Sequence, residues 1–358
     1  MILFFLMQIM YNKRKKSETV RCQERKTMGA TIRDIQKLTG LSLATISKYL
    51  NGGNVLPENR ASIGRAIEEL HYEVNEVARG LKTRQTRIVG VLLHDLNNIF
   101  AGTIISRMED ILRQHGYGMF LCDCRGNSDL EAEEIQFLLG KQVDGIITFP
   151  TSDNSGYLKP ARERGIPVVL IDRMFEDQEF DSVIVDNETA SRLAVEKLLS
   201  YGHRRIGMIC GDEHYYTARK RLYGFCQTME EAGAEACILK GELTVGHGYG
   251  AMEKLLNMKE RPTAVFLSNY EITLGAVIAM NEHNVTFPKE ISVIGFDNMM
   301  LAQVVKPKLW MITQPMEQIA VRAAEIMMER LKNGNCREPQ VEMLQTMLSE
   351  GESIGRIV

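Results

Sequence analysis

From residue 88 onward, short apolar runs alternate with amphipathic helical stretches, and this alternation restricts the possible folds more than any other feature of the chain. The runs are IVGVLL (88–93), MFLC (119–122), GIITF (145–149), VVLI (168–171), SVIV (182–185), RIGMIC (205–210), AVFL (264–267) and ISVIGF (291–296). Parallel strands need a crossover of a dozen residues, usually a helix, so the pattern predicts parallel sheets covered by helices on both faces. Roughly 270 residues of it exceed one comfortable doubly wound domain, and two similar lobes are expected. Ligands of such folds sit at the carboxyl ends of the strands.

The chain ahead of this region has a different period. From Thr31 to Tyr72 the apolar spacing is helical, in three segments separated by Thr39-Gly40 and by Asn51-Gly52-Gly53, which are strong breakers. In TIRDIQKLTGLSLATISKYLN (31–51), Ile32, Ile35 and Leu38 share one face. Gly40 makes a turn, Ser42 is the expected N-cap of the next helix, and Ile46, Tyr49 and Leu50 face inward. Two short helices across a tight turn match helix-turn-helix geometry. The first residues of the second helix would then enter the major groove, pointing Leu43 and Ala44 at base edges with Thr45 beside them and Lys48 one turn later. Thr31, Ser47 and Asn51 are placed to meet phosphate, and Ser42 counts among the DNA-binding residues. A helical hairpin without a ligand is the other reading of the same spacing.

Charge separates the two regions. Residues 1–88 hold 16 Lys and Arg against 8 Asp and Glu, whereas the remainder holds 27 against 38, so one end suits a polyanion and the other does not. The opening MILFFLMQIM is half of the roughly 20 apolar residues that span a bilayer. Its basic residues follow the apolar run, the reverse of a signal peptide. Residues 1–27 are therefore expected to be an extension or an upstream start, with Met28 the more natural beginning and no membrane partner. The seven cysteines are scattered, with only Cys122 and Cys124 close together. No metal and no cofactor is expected, and reduced thiols in a cytoplasm fit the pattern.

A third amphipathic segment, VLPENRASIGRAIEELHY (55–72), turns Ile63, Ile67 and Leu70 inward, and NEVARGLK (75–82) follows. The order TIxDI, TGLSxATISKYLN, ENR, AIEELHY, NEVARGLK resembles the lactose/galactose/purine repressor family (LacI/GalR type) over about residues 29–358. That resemblance implies a small all-α helix-turn-helix headpiece (28–73) and a hinge (74–87) whose residues 75–82, including Asn75 and Ala78, form a helix on operator DNA. Leu81 would be the wedge that unstacks a base step in the minor groove. It further implies an α/β two-lobed periplasmic-binding-protein-like domain with parallel sheets over 88–358, its lobes spanning 88–186 plus 315–342 and 187–314 plus 343–358. Lys48 stands where the family usually has Arg, which removes the fork that reads guanine bidentately. His71 replaces a common Gly or Asn and is expected to cap or face solvent.

The segments LLHDLNNIFAG (92–102), GIPVVLIDR (165–173), RLYGF (221–225), LSNYEITLGAV (267–277) and ISVIGFDN (291–298) continue the likeness. Carried over residue by residue, Ile99 and Phe100 would wall an effector pocket, Asp172 and Arg173 would close a strand beside it, and Arg221 would grip the effector. Asn269 and Asp297 would add polar contacts, and Gln314 would lie near a lobe crossover. Leu243 occupies a place where relatives often carry an aromatic, and Tyr270 replaces a common Asp. Acceptors and donors converging from separate strands suit a sugar-like polyhydroxyl.

Catalysis has no signature here. No glycine-rich phosphate loop follows the first strand, GxSxG and HExxH are absent, and Gly246, Gly248 and Gly250 follow no strand of the kind that phosphate binding needs. The expectation is a sequence-specific DNA-binding repressor, a homodimer on operator DNA, controlled by a sugar or sugar derivative. A nucleobase-responsive regulator of the same family and a sugar-binding transport receptor are the alternatives. The receptor gives no reason for residues 31–82.

Overall fold

In the computed structural model, the structure describes residues 30–74, 80, 85–297, 301–334 and 337–357. The chain divides at Thr86–Arg87 into two compact units. The first contains helices α1 (Ile32–Thr39), α2 (Leu43–Leu50) and α3 (Pro57–Leu70). Ile35, Ile46, Ile63 and Ala66 form its core, with Ile67 and Leu70 packed against it. Leu38, expected on the inward face, is instead 46% exposed. Gly40 ends α1 with a left-handed φ of 68°, a conformation that glycine adopts without strain.

The second unit runs β1 (Ile88–Leu93), α4 (Ile99–Gln114), β2 (Gly118–Asp123), α5 (Ser128–Gly140), β3 (Gly145–Thr148), α6 (Lys159–Glu163), β4 (Val168–Ile171) and β5 (Asp181–Val185). It continues with α7 (Asn187–Ser200), β6 (Arg205–Gly211), α8 (Tyr216–Glu231), β7 (Glu235–Gly241), α9 (Val245–Leu256), β8 (Ala264–Leu267), α10 (Tyr270–Glu282), β9 (Ser292–Phe296), α11 (Leu301–Val304) and β10 (Trp310–Thr313). Helix α12 (Met316–Asn333) and strands β11 (Val341–Leu344) and β12 (Met347–Ser349) complete it.

Two six-stranded sheets result, ordered β11-β5-β4-β3-β1-β2 and β12-β10-β9-β8-β6-β7. The two orders are equivalent strand for strand. Every pairing is parallel except β10 with β12. In the first lobe, alternate residues of β1, β3, β4 and β5 bury against α4 and α12, and the other face packs on α5 and its neighbours. In the second lobe α9 and α10 cover one face while α7 and α8 cover the other. The chain therefore crosses between lobes after β5, after β10 and between β11 and β12.

Two glycine contacts fix the second lobe's helices. A Cβ on Gly275 of α10 would lie 2.0 Å from the Val245 carbonyl oxygen, and one on Gly248 of α9 would lie 2.4 Å from that of Ile272. Gly248, the middle of the GxGxG run, is thus a packing residue that lets α9 and α10 touch backbone to backbone. Their approach sets the N-terminus of α10 at the mouth of the lobe.

Candidate effector cleft and nucleic-acid interface

Between the carboxyl ends of the two sheets lies a cleft of about 750 Å³. The first lobe contributes the residues just past β1 (His94, Asp95), past β3 (Phe149 to Thr151) and past β4 (Asp172, Arg173). The second contributes Tyr215 and Thr217 after β6, Glu242 to Val245 after β7, and Asn269 with Glu271 after β8. Parallel strands bring such ends together because all of them point the same way.

Asp172 and Asp297 hold equivalent places, directly after β4 and β9, and both have left-handed backbones, φ 75° and 83°. A non-glycine residue there is strained by about 1 kcal/mol or more, and the strain is offset by local bonds. The Asp172 amide donates to the Val183 carbonyl at 3.1 Å. The Asp297 carboxylate accepts from the Tyr270 amide at 3.1 Å and from Gln314 Nε2.

Arg221, from the second turn of α8, is 5% exposed. Its Nε donates to Asn187 Oδ1 at 2.7 Å and its Nη1 to the Ser268 carbonyl at 2.6 Å. The guanidinium carbon stands 3.6 Å from the centroid of the Phe296 ring, a stacked arrangement that Arg makes and Lys does not. Burial pulls its pKa down, and Asp297, Asp172 and Glu271 oppose that pull. Burial pushes Asp297 up against the lowering influence of Arg221.

Glu271 sits between the lobes. It accepts from Asn98 Nδ2 of the first lobe at 3.1 Å and from Asn269 Nδ2 of the second at 2.6 Å. Both asparagines also cap helices, through Ala101 N at 2.9 Å and Ile272 N at 3.1 Å. Burial, followed by the neighbouring Asp297 and Asp95 charges, pushes the Glu271 carboxyl up to about 7. A second link joins the lobes where Arg219 Nη1 lies 3.6 Å from Asp153 Oδ2. Arg173 Nη1 donates to the Thr151 carbonyl at 2.9 Å and approaches Asp153 at 3.7 Å. That loop is itself anchored by buried Glu131, which accepts from Thr151 N at 2.7 Å and Ser152 N at 3.0 Å.

Of the residues singled out from the sequence, Asp172, Arg173, Leu243 and Asn269 line the cleft. Arg221, Asp297 and Gln314 lie behind it, with Gln314 bonded to Asp297, and Arg221 to the Ser268 carbonyl. Ile99 and Phe100 do not form the wall. Ile99 is 51% exposed, and Phe100 packs into the lobe core edge-on to Phe149, ring centroids 6.5 Å apart. Phe149 supplies the aromatic wall instead. The sequence reading passed over Asp95, Thr217, Glu242 and Glu271, although each follows a strand end, the position at which such folds place ligand contacts.

In the headpiece unit, Ser42 Oγ accepts from Thr45 N at 3.2 Å and caps α2. Leu43, Ala44 and Lys48 are exposed along one side of that helix. Ala44 and Lys48 line a concave surface that continues through Asn54 and Leu56 to Asn59 and Arg60, residues that the sequence reading did not single out. Thr31 caps α1, its hydroxyl donating to Asp34 Oδ2 at 2.7 Å and its amide to the same oxygen at 3.1 Å. Asn51 Nδ2 donates to the Ser47 carbonyl at 2.8 Å, closing α2. His71 ends α3 in a left-handed conformation, φ 46°. Asn75, Ala78 and Leu81 lie outside the described residues.

Comparison with known proteins places these features among relatives. Residues 86–347 match the family model described as periplasmic binding proteins and sugar binding domain of the LacI family. The chain is 33% identical over 305 residues to catabolite control protein A of Priestia megaterium, covering 84% of this chain and 92% of that one. It is 33% identical over 308 residues to the HTH-type transcriptional repressor PurR of Edwardsiella ictaluri, covering 84% and 90%. Its fold is similar to that of the lac repressor dimer bound to operator and the anti-inducer ONPF, with a TM-score of 0.81 at 23% identity over 91% of this chain and 99% of that one.

Proposed function

The chain belongs to the LacI/GalR family of transcriptional regulators, a family of repressors and not of enzymes, and from that premise we propose that it binds operator DNA under the control of a sugar-type effector held in the cleft. The observation that carries the effector reading is Arg221, buried and stacked on Phe296 behind a cleft whose lining includes carboxylates, amides and three threonines. Each hydroxyl of a polyol needs both a donor and an acceptor, and Arg173, Asn269, Asp172 and Thr217 supply them from both lobes. The family description, which names a sugar binding domain, supports the same class.

In this reading Leu43, Ala44, Thr45 and Lys48 face base edges in the major groove, while Ser42, Ser47, Asn51 and the capped start of α1 at Thr31 meet phosphates. Asn75, Ala78 and Leu81 belong to the DNA-dependent hinge, by resemblance to the family. The protein acts in the cytoplasm as a homodimer. Effector changes DNA affinity only if it binds two lobe arrangements unequally. The Asn98–Glu271 and Arg219–Asp153 links are the contacts that a change of lobe closure makes or breaks.

Titration of the full chain against a fluorescent operator, paired with thermal-shift screening of sugars and nucleobases, tests both halves. A saturable DNA shift that is altered by a sugar is the expected result. DNA left unshifted sinks the regulator reading for this chain, and a melting temperature raised only by a nucleobase sinks the sugar reading.

A further inference from the structure

The charges around the cleft do not balance. Buried Arg221 lies in the field of three carboxylates, Asp297, Asp172 and Glu271, and Glu271 in turn feels Asp95. The cationic residues that line the cleft are Arg125 and Arg173, against Asp95, Asp123, Asp172, Glu242 and Glu271. Arg173 is already engaged with the Thr151 carbonyl and Asp153. His94 adds no reliable cation, because burial lowers its pKa. Both of the hydrogen bonds that Glu271 accepts from side chains come from neutral amides, Asn98 and Asn269. A carboxylate removed from water that shares one buried cation with two others is costly, and a ligand cation relieves the cost.

A separate observation points to a polar ligand at the same place. Thr217 lines the cleft, is 6% exposed, and its hydroxyl makes no hydrogen bond among the described residues. It stands one helical turn before Arg221, on the side of α8 that faces the cleft.

Resting on the reading that this cleft holds a sugar-type effector, we propose that the effector is a polyol carrying a protonated amine, seated with its ammonium group toward Glu271 and Asp95 and a hydroxyl toward Thr217. Phosphate- and carboxylate-bearing sugars are excluded by the same charges. Ammonium binding also draws the Glu271 proton off, since a cation beside a carboxyl favours its ionised form.

The test is calorimetric titration of the full chain at pH 7 with 2-amino-2-deoxyhexoses, their N-acetylated counterparts, the parent hexoses, hexose 6-phosphates and hexuronic acids. Free amino sugars are expected to bind roughly tenfold or more tightly than the N-acetylated forms, because hydrogen bonds to a charged group exceed neutral ones by about that factor. Titration in buffers of different ionisation enthalpy is expected to show net proton release. Glu271→Gln is expected to bring the amino and N-acetyl affinities together. Equal or tighter binding of neutral or anionic sugars overturns the amine while leaving the sugar reading in place; no heat of binding from any of these sugars overturns both. An unchanged amine preference in a folded Glu271→Gln protein also overturns the assignment. If that variant does not fold, the comparison between amino and N-acetylated sugars decides by itself.

Discussion

At the scale of single residues, Asp172 and Asp297 show how an α/β lobe spends backbone strain on a site. Each is the first residue past an equivalent strand and each takes a left-handed φ, which turns a carboxylate toward the carboxyl ends of the sheet. Arg221 lies among these carboxylates, and its removal leaves Asp297 buried without its cation. Arg221→Ala is expected to abolish the response of operator binding to effector while preserving operator affinity in its absence, as read by anisotropy with and without ligand. A variant that still responds normally removes Arg221 from the effector site. Glu271 makes a stability prediction whose sign can be worked out. Its folded pKa of about 7 exceeds the ordinary 4.5, so between those values the folded state keeps a proton that the unfolded state has lost. Its contribution therefore worsens as pH rises through that window and levels off above it. Glu271→Gln should melt close to the parent at pH 4.5 and be the more stable protein at pH 8, by an amount on the order of 3 kcal/mol; a parent-minus-variant difference that is flat with pH refutes this. The family resemblance pointed to Asp172, Arg173, Leu243 and Asn269, which line the cleft, and to Arg221, which is buried behind it. It did not reach Asp95, Thr217 or Glu271, which look like ordinary loop or helix-start residues until two lobes face each other.

At the scale of elements, most of the buried strands were legible, and of the four edge strands only β2 was, through MFLC. IVGVLL, VVLI and AVFL are apolar throughout because both faces of their sheets are covered. Strand β7 (EACILKG) lies at a sheet edge and is partly exposed along its length, so it lacks that signature. The short β11, another edge strand, alternates exposed and half-buried residues, and β12 has three residues. Strand β10 (WMIT) is fully buried yet was not read, although β4 and β8 are just as short. Packing of α9 on α10 was equally hidden, since the glycine run read only as the absence of a phosphate loop. Gly275→Ala would put a Cβ 2.0 Å from a carbonyl oxygen, which forces the two helices apart at about 1–3 kcal/mol. Because α10 begins at the residues that carry Asn269 and Glu271, the same variant should bind effector more weakly. A melting temperature and an effector affinity both equal to the parent's would show that the helices adjust without cost.

At the scale of the whole molecule, one helix-turn-helix buries too little surface for nanomolar recognition, whereas a two-fold dimer reads two half-sites. Sedimentation at micromolar concentration is expected to show dimers, with and without operator; monomer alone under both conditions contradicts the proposal. The two-lobed plan was legible from the length and period of the strand pattern. The three crossings between lobes have a further effect, on the time at which the protein can fold during synthesis. The first lobe's sheet is made early, yet the helix that covers one of its faces with Ile319, Ala323 and Met327 emerges only after the entire second lobe's βα units. At about 5–20 residues per second, that face waits on the order of ten seconds. A nascent chain of this design presents an apolar sheet face shielded by α4 alone while it is still attached to the ribosome, and it is then that a chaperone has most to protect.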